Sequence, residues 1–182
     1  IETFRDDQWQ AAVEPLHNDK ETAGVGLSMS CASAYLEAFP QERVGLVPAA
    51  VGGTPLSRWM PGEDLYERAL GIAQEALKGG KLKAILWHQG ETDAQNLELA
   101  QSYGQRLAEM VSALRQALDA TNVPFIVGGL GDFLADHPTC VHYGLVNDAL
   151  QNLNVDQCGF ASAAGLGAVS YTHLTLPTTP VV

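Results

Sequence analysis

The sequence predicts an α/β domain whose parallel sheet is covered on both faces by helices. Three observations carry that prediction. Short apolar runs alternate along the chain with longer stretches in which apolar residues recur every three or four positions. The runs are continuously apolar rather than alternating, the pattern of strands buried on both faces. Hydrophobic residues make up 46% and charged residues 17% of the 182 positions, which supports a packed core in one domain and excludes general disorder.

The elements follow in order. Residues 1–5 read as a strand. Val25, Met29, Ala32, Leu36 and Phe39 fall at helical spacing, Ser28 reads as the cap of that helix, and Pro40 stops it. Residues 43–48 form a buried strand that opens into the loop 49–59. Leu65, Ala69, Ile72, Ala73, Ala76 and Leu77 mark a helix closed by Gly79 and Gly80. Residues 82–87 are the next strand, running directly into His88-Gln89-Gly90-Glu91. A long amphipathic helix spans residues 97–118, a strand residues 123–127, a last helix residues 141–153, and a short strand residues 158–161. Right-handed crossovers place the strand-to-helix loops along one edge, where open α/β sheets bind ligands.

Charge narrows the function. Ten Lys+Arg against 21 Asp+Glu leave a net charge of −11 with no basic patch, which argues against nucleic acid and anionic membrane surfaces as partners. No apolar run is long enough to cross a bilayer. Cys31, Cys140 and Cys158 form no Cys-x-x-Cys pair and read as small core residues.

Two loops at the ligand edge could carry chemistry. Gly52 and Gly53 let backbone N–H groups approach a developing negative charge, as in an oxyanion hole, although a glycine pair is also an ordinary turn. The segment from Trp87 to Asp93 gathers an imidazole, an amide and two carboxylates at the end of a buried strand. There Gln89 can donate to an oxyanion and a carboxylate can orient a histidine base; the alternatives are that Glu91 or Asp93 caps the next helix and that His88 packs against the sheet. His88 and Glu91 lie at metal-ligand spacing but no third ligand accompanies them, so no metal and no cofactor is expected. Ser28 imitates a nucleophile elbow without its closing glycine. His17, His137 and His142 have no companion motif and read as solvated or structural.

The stretch Val47-Pro48-Ala49-Ala50-Val51-Gly52-Gly53-Thr54-Pro55-Leu56-Ser57-Arg58-Trp59, followed by Ile85-Leu86-Trp87-His88-Gln89-Gly90-Glu91-Thr92-Asp93-Ala94, resembles the sialate O-acetylesterase-like and family 6 carbohydrate esterases, a branch of the SGNH (GDSL-type) hydrolases. Glu14-Pro15-Leu16-His17 and Gly24-Val25-Gly26-Leu27 extend the similarity over most of residues 1–166. The resemblance implies a three-layer α/β/α flavodoxin-like fold and hydrolysis of O-acetyl esters on sugars such as acetylxylan or sialic acid. It implies Gly53, before Gly52, as backbone oxyanion donor, Gln89 as side-chain donor and Glu91 as a carboxylate supporting the base. Thr54, Arg58, Trp59 and His88 would lie toward the substrate.

The family's nucleophile belongs to a Gly-Gln-Ser-Asn-type segment and its base to an Asp-x-x-His segment. The first would precede Ile1 and the second would follow Gly167, so the resemblance implies a partial domain over residues 1–167, inactive alone. Residues 169–178 resemble a translated sequencing-library adapter, and residues 168–182 are therefore read as a non-native tail. Two other readings stay open: a non-catalytic carbohydrate- or nucleotide-binding α/β domain, and a lipase-like fragment with Ser28 as nucleophile.

Overall fold

The computed structural model describes residues 1–17, 19–21, 23–170 and 173–175. β1 (Glu2–Arg5) and β2 (Gln8–Ala11) form an antiparallel hairpin; the strand at residues 1–5 was expected and its partner was not. The turn between them is Asp6 and Asp7, at φ 52° and 59°, the doubly positive geometry that matches strand twist in two-residue hairpins. Phe4 and Trp9 face each other across the pair with ring centroids 5.1 Å apart.

α1 (Leu27–Ala38) leads to β3 (Gly45–Leu46), which runs parallel to β1. α2 (Asp64–Leu77), β4 (Ile85–Trp87), α3 (Leu97–Ala117), β5 (Phe125–Gly128), α4 (Tyr143–Gln151) and β6 (Cys158–Ala161) follow where the periodicity predicts them. β4, β5 and β6 are parallel, with β5 in the middle. The chain thus has an incomplete flavodoxin-like α/β fold.

It departs from one continuous sheet. Hydrogen bonds divide these strands into β2–β1–β3 and β4–β5–β6, so β3 and β4 each have a ladder on one side only. Both are shorter than the apolar runs 43–48 and 82–87 suggest, and all of β4 is half-buried while Phe125 and Val127 of β5, paired on both sides, are fully enclosed.

The main core gathers Leu65 and Tyr66 of α2, Tyr103, Leu107, Met110 and Val111 of α3, the buried residues of β5, and Val146 and Leu150 of α4. α1 differs from its expected role. Its N-cap is Gly26 rather than Ser28, which lies inside the helix; only Ala32 is buried, and Val25 and Phe39 are exposed. No strand leads into Ser28, so the strand-to-helix elbow of a lipase is absent there. Cys31 is also exposed, whereas Cys140 is buried. Asn96, not Glu91 or Asp93, caps α3, its Oδ1 accepting from Leu99 N at 3.0 Å.

Beyond the main fold, β7 (Gly167–Ser170) and β8 (His173–Thr175) form an antiparallel pair. Of the stretch 168–182 read as a tail, residues 171–172 and 176–182 lie outside the described residues. Among the described residues, no helix is long and apolar enough to cross a membrane.

Candidate functional site

The loops after β3 and β4 meet through a buried polar hub that local sequence patterns do not reveal. Asp93, with no exposed surface, accepts from Leu56 N at 2.9 Å and Gln89 Nε2 at 2.8 Å through one oxygen, and from Arg106 Nη2 at 2.9 Å through the other. Arg106 also donates to Leu99 O and Ser102 Oγ, so the buried charge is both paired and hydrogen-bonded. Asp93 lies 37 residues from Leu56 and 13 from Arg106 in sequence, which is why a reading of neighbouring residues misses it.

Gln89 is the strut between the loops. Its Nε2 donates to Thr54 O at 2.9 Å and to Asp93, so both amide hydrogens are engaged within the protein. The Tyr103 hydroxyl lies 2.8 Å from both the carbonyl and Oε1 of Gln89, and accepts from Trp87 Nε1 at 3.2 Å. Burial pushes the Tyr103 phenol far above its ordinary pKa, so it remains a neutral donor at any physiological pH.

Thr54 and Trp59 belong to this brace. Thr54 Oγ1 donates to Val51 O at 2.8 Å and accepts from Trp59 Nε1 at 3.0 Å. Trp59 is 8% exposed and stands edge-on to Trp87 at 5.5 Å, so its ring faces are packed inside the protein. Arg58, on the same 3-10 turn (Leu56–Trp59), points to solvent and pairs with Asp64. Of this pair, Trp59 is thus enclosed in the core and Arg58 stands in a surface ion pair.

The glycine turn is the exposed side of the site. Gly52 N donates to Asp19 Oδ2 at 2.8 Å. Gly53 has φ 74°, a backbone region in which an L side chain is strained, and its N–H has no acceptor among the described residues. His88 is half-buried against the Gly128 backbone, where a β-carbon would fall 2.8 Å from its Nδ1. Gly90, at φ 149°, is buried, and a β-carbon there would fall 2.6 Å from Val146 Cγ1. Glu91 is exposed, and its carboxylate has no partner among the described residues; its carbonyl accepts from the Cys140 thiol. Neither His17, His88 nor His142 is hydrogen-bonded to a serine among the described residues.

The structure therefore joins Thr54 and Trp59 to Asp93 through Gln89, and sets Gly52 and Gly53 on the free side of that assembly. It leaves Arg58 and Glu91 at the surface, apart from the brace. The arrangement presents a backbone N–H in a rigidly backed turn at the carboxyl end of a parallel strand, a geometry suited to stabilising negative charge.

The sequence matches the family described as "Carbohydrate esterase, sialic acid-specific acetylesterase" over residues 1–181, and the chain belongs to it. Among its relatives is the Arabidopsis thaliana protein described as "Probable carbohydrate esterase At4g34215", 39% identical over 125 residues, 65% of this chain and 48% of that protein. The chain spans about half the length of that curated relative. The X-ray structure of the Arabidopsis protein superposes with a TM-score of 0.83 at 33% identity, covering 93% of this chain and 70% of that one. XAC1771, a carbohydrate acetylesterase from Xanthomonas citri, shares the fold with a TM-score of 0.64 at 20% identity, over 88% of this chain and 39% of that one.

Proposed function

We propose that this chain is the oxyanion-binding and substrate-binding part of a carbohydrate O-acetylesterase, with the nucleophile and base supplied by sequence beyond these 182 residues. One observation carries the reading. The glycine turn already holds a carboxylate oxygen, Asp19 Oδ2, at 2.8 Å from Gly52 N, while the adjacent Gly53 N–H is free to donate to a second anionic oxygen. A turn that binds a carboxylate is suited to the oxyanion of an ester's tetrahedral intermediate. In this reading Gly53 N–H is the direct donor. Gln89 fixes the Thr54 peptide behind it, and becomes a donor itself only by releasing Thr54 O. Glu91 and His88 stand at the rim, where an incoming base would need orientation. The one-sided ladders of β3 and β4 support the absence of a central element from the site. So does the length matched to the Arabidopsis relative.

The full engagement of Gln89 favours a second reading, a carbohydrate-binding domain without catalysis. Hydrolysis of p-nitrophenyl acetate separates the two. The 182-residue chain is expected to show no turnover above buffer, because a triad without its nucleophile loses several orders of magnitude in rate. The protein extended by the flanking sequence of its own gene is expected to hydrolyse the ester. In it Gln89→Ala should lower kcat by about 10²–10³ with the fold retained, the usual effect of disturbing one oxyanion donor. Turnover by the short chain, or an unchanged kcat in Gln89→Ala, would overturn the proposal; an inactive extended protein would favour the binding reading.

A further inference from the structure

The glycine turn has a cation beside it that no local sequence pattern announces. A β-carbon on Gly52 would fall 3.1 Å from Lys20 Nζ, and one on Gly53 would fall 3.5 Å from it. The backbone nitrogen and β-carbon of one residue are about 2.5 Å apart, so the ammonium lies within roughly 6 Å of Gly53 N. A single oxygen accepting at about 2.7–3.2 Å from each donor spans that gap. Neither donor is engaged: among the described residues Lys20 Nζ has no ion pair or hydrogen bond, and Gly53 N–H has no acceptor.

A strap, residues 14–26, holds Lys20 there. The Glu14 carboxylate accepts from Leu16 N at 3.0 Å and from Gly26 N at 3.2 Å, tying the two ends of the strap together. Arg5 Nη2 donates to Pro15 O at 3.1 Å and to Leu16 O at 2.8 Å. At the crest, Ala23 N donates to Lys20 O at 3.0 Å, and Asp19 Oδ2 accepts from Gly52 N at 2.8 Å. Asp19 and Lys20 both reach Gly52 without forming an ion pair with each other. Asp19 also lines a hollow of about 290 Å³ with Asp6, Asp7, His17 and Arg68, while Lys20 stands outside it, against the glycines.

In the esterase reading Gly53 N–H is the direct donor, and Gln89 has no amide hydrogen left to join it. We propose that Lys20 is the second donor: a catalytic residue whose ammonium, with Gly53 N–H, holds the oxygen of an ester's tetrahedral intermediate. This role rests on the esterase reading. It comes from direct donation and not from the field of the surrounding loops, because the carboxylates of Asp6, Asp7 and Asp19 offset the charges of Arg5, Arg68 and Lys20. A charge-assisted hydrogen bond strengthens as the ester carbonyl oxygen gains negative charge, so it favours the transition state over the bound ester.

Hydrolysis of p-nitrophenyl acetate by the protein extended with its own flanking sequence tests the role. Lys20→Met keeps the stem beside Gly52 and removes the charge. It should lower kcat about 10- to 100-fold and change KM less than about twofold, the effect of losing one charge-assisted bond made in the transition state. Lys20→Arg should retain most of the rate. Lys20→Cys should be as slow as Lys20→Met and recover on alkylation by 2-bromoethylamine, which rebuilds an ammonium on a thioether stem. The unsubstituted protein treated alike controls for Cys31, which is exposed. An unchanged kcat in Lys20→Met would overturn the proposal and leave the esterase reading standing, as would a Lys20→Cys variant that gains nothing from alkylation. If the extended protein hydrolyses no ester, the esterase reading fails, and phosphate titration of the 182-residue chain decides on the donor pair. Followed by the amide resonance of Gly53, inorganic phosphate should bind saturably, and about tenfold more weakly to Lys20→Met. No saturable shift, or equal affinity for both chains, would overturn the pair as well.

Discussion

The two groups of strands are built from similar residues and packed very differently. In β4–β5–β6, with α3 and α4, the side chains of Tyr103, Leu107, Val111, Phe125, Val127 and Val146 are wholly enclosed. In β2–β1–β3, with α1, Phe4, Leu16 and Ala32 are buried, while Val25 is 64% and Phe39 52% exposed. At about 25 cal/mol per Å² of apolar surface, most of the driving force for folding is in the first group. The site straddles the difference. Its brace of Asp93, Gln89 and Tyr103 belongs to the dense side, and its glycine turn is tethered on the other side by Asp19, a single hydrogen bond at the surface.

The largest test of that contrast is Asp93→Ala. It would strand the Arg106 guanidinium and remove the acceptor of Leu56 N and of one Gln89 hydrogen. Breaking a buried, hydrogen-bonded ion pair costs about 3–5 kcal/mol, and a urea melt should show it. Asp19→Ala, on the loose side, should cost less than about 1 kcal/mol, the scale of an exposed contact. Equal losses would mean that the two sides are not mechanically distinct.

A pair of glycines sharpens the same point at smaller amplitude. Gly90→Ala forces a β-carbon to 2.6 Å from Val146 Cγ1, on the dense side, as well as straining a φ of 149°. Overpacking of this kind costs about 1–3 kcal/mol. Gly53→Ala meets only the flexible end of Lys20, at 3.5 Å, and should lose just the backbone penalty of about 1–2 kcal/mol. Thermal melts of the two variants should place Gly90→Ala lower, and the reverse order would put tight packing on the glycine-turn side.

What the sequence discloses follows the same line. The helices were legible because their apolar spacing is local, and β6 was found within its own limits because residues 158–161 form a run of their own. β2 was missed, although two aspartates between Phe4-Arg5 and Gln8-Trp9 are a hairpin-turn pattern that could have found it. The apolar stripe of α1 misled because periodicity reports a face and not whether anything covers it. In the site, the meeting of the two loops was legible from topology. The role of Trp59 was not, since its burial depends on Thr54 Oγ1 and Trp87, and the hub at Asp93 is made wholly of distant partners.

The smallest expected effect is a pH dependence confined to the loose side. Burial lowers the pKa of His17 below the ordinary 6.5; Asp19 and Glu14 oppose the shift, and Arg68 and Arg5 reinforce it. Asp6 and Asp7 share the hollow with the ring. The folded chain thus holds its imidazole neutral at a pH where the unfolded chain has begun to protonate. Because the unfolded state binds more protons in that window, stability should fall as pH drops from about 6.5 toward the lowered value, and stay level at higher pH than about 6.5. His17→Gln should flatten that segment of a melting-temperature profile. Asp19→Asn removes the stronger of the two carboxylates that favour the charged ring, so it should move the His17 titration further down, as read by the NMR shift of its Cε1 proton. An upward move would mean that the ring does not face Asp19, and that the loop carrying both residues packs differently against α2.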